Sequence, residues 1–106
     1  MASAYGKRAN PPLASENTKD FQKDWDKLLK SGRYEMGRLT ETMLLIISNQ
    51  GALPPEYKDH QLAGEWADFR ECHVGGDFLL IYQLVPGKKA WGAVIFARAG
   101  THSELF

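Results

Sequence analysis

The spacing of apolar positions changes once along this chain, near residue 53. Before that point apolar residues recur every three or four positions, and after it they come as short runs broken by glycine and proline. Phe21, Trp25, Leu28 and Leu29 fall within an arc of about 100° on a helical projection. That stripe predicts a helix capped by Asn17 or Thr18, running to about Lys30 and stopped at Ser31-Gly32. Met36, Leu39, Met43 and Ile47, flanked by Ile46 and Leu44, predict a second helix over 34–49. Gly51 fits its stop, and Pro54-Pro55 forbid its continuation.

Beyond the prolines, 53–65 reads as a connecting loop and three strands follow. In the first, 66–74, alternation puts Phe69, Glu71 and His73 on one face and Arg70, Cys72 and Val74 on the other. Gly75-Gly76 makes a tight turn into 78–85, which is nearly all apolar, as a central strand covered on both faces should be. A turn at 86–89 leads to the third strand, 91–98, and 102–106 closes as a short strand or tail. Pro11-Pro12-Leu13 fits an edge strand, where a missing N–H does no harm. The expected class is α+β, with two N-terminal helices packed on a small antiparallel sheet. Residues 1–10 are expected to be flexible, and 11–106 to form one domain.

Composition narrows the picture. A hydrophobic fraction of 43% with 25% charged residues is that of an ordinary globular chain. Cys72 stands alone, which excludes an intramolecular disulfide and a four-thiolate zinc site. Apolar runs such as 43–47 and 78–82 fall far short of the ~20 residues that span a bilayer, so no membrane partner is expected. With a polar amino terminus lacking an apolar signal core, the expected location is the cytoplasm. Net charge is zero: eight Lys/Arg against six Asp/Glu up to Ala52, five against seven from Leu53. Bulk electrostatics therefore cannot hold a nucleic acid, and any such role needs a local patch. Lys19, Lys23, Lys27 and Lys30 supply one, within about 80° on the polar side of the first helix. The same row would also serve as a plain solvated face.

All three histidines lie in the second half, in the clusters Tyr57-Lys58-Asp59-His60, Arg70-Glu71-Cys72-His73 and Gly100-Thr101-His102-Ser103-Glu104. Imidazoles accept and donate protons near neutral pH. Cleaving RNA without a metal needs a base for the 2′-hydroxyl, an acid for the leaving 5′-oxygen and a cation for the phosphoryl oxygens. His60, His73, His102, Asp77 and Arg98 offer these parts, and Phe78, Tyr82 and Phe106 offer rings for base stacking. The same set would suit zinc or iron, but no His-x3-His or His-x-His spacing occurs, so no cofactor is expected. The tryptophans Trp25, Trp66 and Trp91 read as packing residues, and Cys72 as buried and inert.

Lys58-Asp59-His60 with Leu62 and Gly64, Arg70-Glu71-Cys72-His73-Val74, Asp77 with Leu79-Leu80-Ile81-Tyr82, and Gly100-Thr101-His102-Ser103-Glu104-Leu105-Phe106 occur in that order. Together they resemble the YafQ-type branch of the RelE toxin superfamily. The likeness covers 53–106 and extends more loosely to the first helix. It implies a RelE-like microbial ribonuclease fold and a bacterial type II toxin, an endoribonuclease that cuts mRNA in the ribosomal A site and is silenced by a cognate antitoxin. By position, His60, His73, Asp77 and His102 would handle the protons and the phosphate, with His102 as acid and Asp77 or His60 in the base machinery. Arg98 would stabilise the phosphate, Phe78 and Phe106 would position RNA, and the lysine row would meet ribosomal RNA. The chain departs from the family in having Phe78 where tryptophan is common, and in its neutral charge. Both departures keep open a second reading, a binding module that engages antitoxin or ribosome but cuts poorly.

Overall fold

The computed structural model describes residues 10–106. The expectation of a flexible stretch at 1–10 falls, save for Asn10, outside them. Strand β1 (Ala14–Asn17) leads into helix α1 (Lys19–Ser31) and helix α2 (Met36–Ser48). Then come β2 (His60–Gln61), β3 (Arg70–Gly75), β4 (Phe78–Pro86), β5 (Trp91–Gly100) and the single turn α3 (His102–Leu105). The strands form one sheet in the order β1-β5-β4-β3-β2.

Both long helices form where their apolar spacing puts them, and local chemistry sets their ends. The Thr18 hydroxyl caps α1 by accepting from Phe21 N–H at 3.0 Å and donates to the Ala97 carbonyl at 2.8 Å, which pins the helix start to β5. Gly32, left-handed at φ 65°, ends α1. Helix α2 ends at Asn49, which takes the left-handed conformation itself, so the stop falls two residues before Gly51. The buried line of α2 runs through Leu39, Thr42 and Ile46, with Met36, Met43 and Ile47 beside it. Leu29 and Leu44, expected near the core, stand 56% and 59% exposed.

The sheet is mixed, not purely antiparallel. β1 pairs in parallel with β5, Ala14 opposite Ala93 through Asn17 opposite Phe96, while β2–β3, β3–β4 and β4–β5 are antiparallel. The edge strand also begins after Leu13 instead of covering 11–13, because Leu13 turns inward to the core and its N–H bonds the Ile47 carbonyl. The loop expected at 53–65 contains β2, and Trp66, expected to open β3, ends a 3-10 turn over 64–66, so that β3 begins only at Arg70.

β4 is central, and Phe78 to Tyr82 are buried without interruption. Alternation divides them. Phe78, Leu80 and Tyr82 join Cys72, Val94, Phe96 and the helices on one side, where the Phe21 and Phe96 rings lie 5.9 Å apart. Leu79 and Ile81 join Ala97, Leu105, Trp66 and Phe69 in a smaller cluster on the other. This second cluster is the floor on which the histidines stand. No helix in the described residues is long and apolar enough to cross a membrane.

Candidate active site

Antiparallel register builds the centre of the site. His60 on β2 lies opposite Glu71 on β3, and His73 follows Glu71 by two residues, so all three side chains share one face. The third imidazole arrives from the end of β5. Gly100 sits at φ 155°, and a Cβ there would fall 3.0 Å from Glu104 Oε1 and 3.3 Å from Leu105 Cδ2, so only glycine fits. Thr101 then caps α3 in a reciprocal box: its backbone N–H donates to Glu104 Oε1 at 2.8 Å, and the Glu104 N–H returns to Thr101. That interlocked turn sets His102 over the sheet. The same box holds the Glu104 carboxyl below its usual range. The segment is thus a capped helical turn, in place of the strand or tail its sequence suggests.

The four residues expected to converge do so around a fifth. Glu71 is 3% exposed, and its Oε1 lies 3.7 Å from His60 Nε2, 3.8 Å from His73 Nε2 and 3.9 Å from His102 Nε2. The other nitrogen of each ring is already engaged. His60 Nδ1 bonds the Lys58 carbonyl at 2.8 Å, His73 Nδ1 the Gly76 carbonyl at 3.0 Å, and His102 Nδ1 the Asp77 carboxylate at 2.9 Å. Carbonyl oxygens only accept, so Nδ1 carries the proton in His60 and His73, and in the neutral ring Nε2 is left with its lone pair. His102 differs. Its hydrogen bond to Asp77, aided by the Glu71 charge, raises its pKa above the usual histidine value, and in return Asp77 is held below the usual carboxylate value. The arrangement supplies one ring biased toward the cation, and two more whose Nε2 atoms face the same buried carboxylate.

These nitrogens surround an oxygen at ion-pair distance, longer than the separation of two ligands on a shared zinc. Among the described residues no group of three or more histidine, cysteine and acidic side chains is arranged to hold a metal ion.

Beside His102 stands an aromatic wall. The Phe106 ring lies 5.8 Å from His102 and 5.7 Å from Trp66, and Phe106 is 56% exposed. Trp66, read from the sequence as a packing residue, is thus also part of the site's rim. Lys19, Lys23, Lys27 and Lys30 are all exposed, and Lys27 Nζ comes within 3.9 Å of Glu104 on α3, so the lysine row runs up to the turn that carries His102.

Three expectations are corrected by the packing. Phe78 is 6% exposed and stacks on Tyr34 at 4.8 Å on the helix side of the sheet, so its ring is not offered to a base. Tyr82 is buried too, its hydroxyl donating to Asp59 at 2.5 Å. Burial and that bond push its pKa up, as burial does for Cys72. Arg98 is engaged away from the histidines: Asp24 on α1 accepts from its Nε at 2.7 Å and from Nη2 at 3.2 Å, and also from Ala99 N–H. The histidines also stand on an open face. A hollow of about 470 Å³ lies instead on the helix side, beside Asp59, Arg70 and Trp91.

This geometry can be set beside known proteins. The family model described as the bacterial toxin of a type II toxin-antitoxin system, YafQ, matches residues 13–106. The chain belongs to the YafQ family of bacterial type II toxins. The mRNA interferase toxin YafQ of Escherichia coli K12 is 40% identical over 80 residues, 76% of this chain and 82% of that protein. YafQ in the crystal structure of the E. coli DinJ-YafQ complex superposes with a TM-score of 0.76 at 37% identity, covering 89% of this chain and 98% of its own. A metal-bound toxin from Helicobacter pylori superposes with a TM-score of 0.75 at 41% identity, covering 89% and 99%. Within this YafQ fold, the residue that sequence reading passed over is Glu71. Its signal was present, since strand alternation put it on the face of His73 and a carboxylate there must find a cationic partner.

Proposed function

We propose that this YafQ-family toxin, an mRNA interferase, cleaves mRNA in the ribosomal A site by acid–base chemistry that needs no metal. His60, whose ring is more exposed than that of His73, takes the proton from a 2′-hydroxyl through its Nε2. The 2′-oxygen then bonds to phosphorus as the bond to the 5′-oxygen breaks, and His102 Nε2 gives its proton to that departing oxygen. The products are a 2′,3′-cyclic phosphate and a free 5′-hydroxyl. Asp77 orients His102 and keeps it charged, while Glu71 holds the three rings toward one point. With Arg98 taken by Asp24, charge on the phosphoryl oxygens falls to the His102 imidazolium. Phe106 and Trp66 give a base a surface to stack on, worth about 1–3 kcal/mol per base. The lysine row meets ribosomal RNA, and an antitoxin silences the toxin in a complex of the kind that DinJ forms with E. coli YafQ.

One observation carries this reading: every Nδ1 is occupied, so every Nε2 faces the same place, beside Glu71. The test is single-turnover cleavage of a programmed ribosome in magnesium buffer, by toxin either untreated or first stripped with chelator and then freed of it. Cut transcripts should appear only with ribosomes and persist with the stripped toxin, and His102→Ala should slow cutting about 10²–10⁴-fold without unfolding the chain. Wild-type protein that binds ribosomes and leaves transcripts whole would instead make it a binding module. Loss of cutting by the stripped toxin, restored by added zinc or iron, would make it a metal enzyme.

A further inference from the structure

Of the four arginines in the described residues, two are neutralised at contact, Arg70 by Asp59 and Arg98 by Asp24. The other two, Arg33 and Arg38, have no carboxylate within 4.0 Å among the described residues, and residues 1–9 contain no Asp or Glu that could serve. Both line the same hollow, about 340 Å³, between the start of α2 and the β3–β4 turn. Asp77 and Thr101 line it as well. Asp77 is the partner of His102 and Thr101 is its chain neighbour, so the hollow adjoins the reacting centre around the end of the sheet.

The guanidinium groups are held in place. Arg33 lies 5.3 Å from the Tyr34 ring centre and donates to the Tyr34 hydroxyl at 3.2 Å. Arg38 lies over Gly75, where a Cβ would sit 3.8 Å from its Nε. Glu35 also lines the hollow, while the Asp77 charge is already taken by His102. Two forks therefore face one free carboxylate. Two neighbouring guanidinium forks match the paired oxygens of a phosphate or a carboxylate, and RNA supplies phosphates at every step.

We propose that this hollow is a subsite for a backbone phosphate of the bound RNA flanking the scissile linkage, held by Arg33 and Arg38. It rests on the ribonuclease reading and adds a second grip on the strand, so that the chain passes over the Gly75–Asp77 turn and the bond to be cut lies under His102. A net neutral protein gains RNA affinity here from two charges placed where they count.

The probe is a fluorescein-labelled ten-nucleotide single-stranded RNA carrying 2′-O-methyl groups, which cannot be cut, so the wild-type chain can be used. Its affinity is read by anisotropy across a salt series. The double variant Arg33→Gln/Arg38→Gln should bind at least about tenfold more weakly. It should also lose about 0.7 from the slope of log K against log salt for each phosphate contact removed. Lys88→Gln/Lys89→Gln removes the same charge from the far end of the β4–β5 hairpin and should change affinity less than twofold. Arg33→Lys/Arg38→Lys keeps the charge without the fork and should recover only part of the loss. Circular dichroism and a thermal melt check that each variant folds, as exposed side chains should allow.

Equal losses in the Arg33/Arg38 and Lys88/Lys89 variants overturn the proposal, as does a wild-type chain that does not bind the RNA at low salt. Unchanged RNA binding together with lost binding of a fifteen-residue polyglutamate peptide also overturns it, and assigns the hollow to an acidic protein partner. Ribosomal cleavage by the wild type is scored separately, so a chain that never cuts fails the ribonuclease reading, and one that cuts with no contribution from Arg33 and Arg38 fails only this one.

Discussion

Asp59 ties β2 to the sheet, and removing its carboxylate should cost far more than a half-exposed ion pair is worth. It accepts from Arg70 Nε at 3.2 Å and Nη2 at 2.8 Å, and from the Tyr82 hydroxyl at 2.5 Å. These partners respond differently. The Arg70 side chain is 31% exposed and can turn to water, so its share is about 1 kcal/mol or less. Tyr82 is 3% exposed, and a hydroxyl stranded there costs about 1–3 kcal/mol. Asp59→Ala should therefore lose about 3 kcal/mol, or roughly 15 °C in Tm for a domain of this size. Tyr82→Phe removes the hydroxyl with its bond and should lose only about 1 kcal/mol. In Asp59→Ala/Tyr82→Phe no hydroxyl is stranded, so the double variant should be more stable than the sum of the singles by at least about 1 kcal/mol. Urea unfolding of the four proteins, with m-values checked for constancy, measures this directly. Additivity within about 0.5 kcal/mol would refute the claim that the buried hydroxyl dominates. Because His60 follows Asp59 on a two-residue strand, Asp59→Ala should also reduce cleavage per folded molecule.

Three further outcomes follow from the site. Asp77→Asn removes the bond that raises the His102 pKa, so the alkaline limb of kcat/KM should move to lower pH, read from single-turnover rates. In stability, the raised His102 contributes fully below its unfolded value of about 6.5 and loses that contribution as pH rises through its folded value. The lowered Asp77 contributes above about 3.9 and loses its contribution as pH falls through its folded value. The pair thus stabilises the fold between those limits, and Asp77→Asn should lower Tm there and flatten its fall on either side. Phe78→Ala should cost about 3–5 kcal/mol in urea, as a core truncation does, in contrast to what a base-stacking residue would show. Phe106→Ala should leave Tm within about 2 °C, since its ring is more than half exposed, while weakening RNA binding about fivefold or more.

Local pattern made much of this molecule legible, and the misses share a cause. Helices α1 and α2 announce themselves in apolar spacing and caps, and the Gly75-Gly76 turn announces the β3–β4 hairpin. Strand β1 could not be seen: Ala14, Ser15, Glu16 and Asn17 are all exposed, and only backbone pairing with residues almost eighty positions later makes them a strand. Arg98 is the same case in side-chain form, claimed by Asp24 across 74 residues. Phe78 was legible by parity, since it shares a face with Leu80 and Tyr82, but adjacency to Asp77 suggested the wrong side. Thr101 and Glu104 spell a capping box that a reading of 102–106 as a tail overlooked. The histidine centre was visible as a set of residue types, and alternation put Glu71 on the face of His73, but its place between all three rings depends on β2 being laid against β3.

β5 lies between β1 and β4, yet it is the last strand to be synthesised. Until Gly100 has left the ribosome, β1 has no edge to join, and His102 has no platform. Every nascent copy therefore lacks the third imidazole, and with it the assembled centre, until β5 has folded back between its two neighbours.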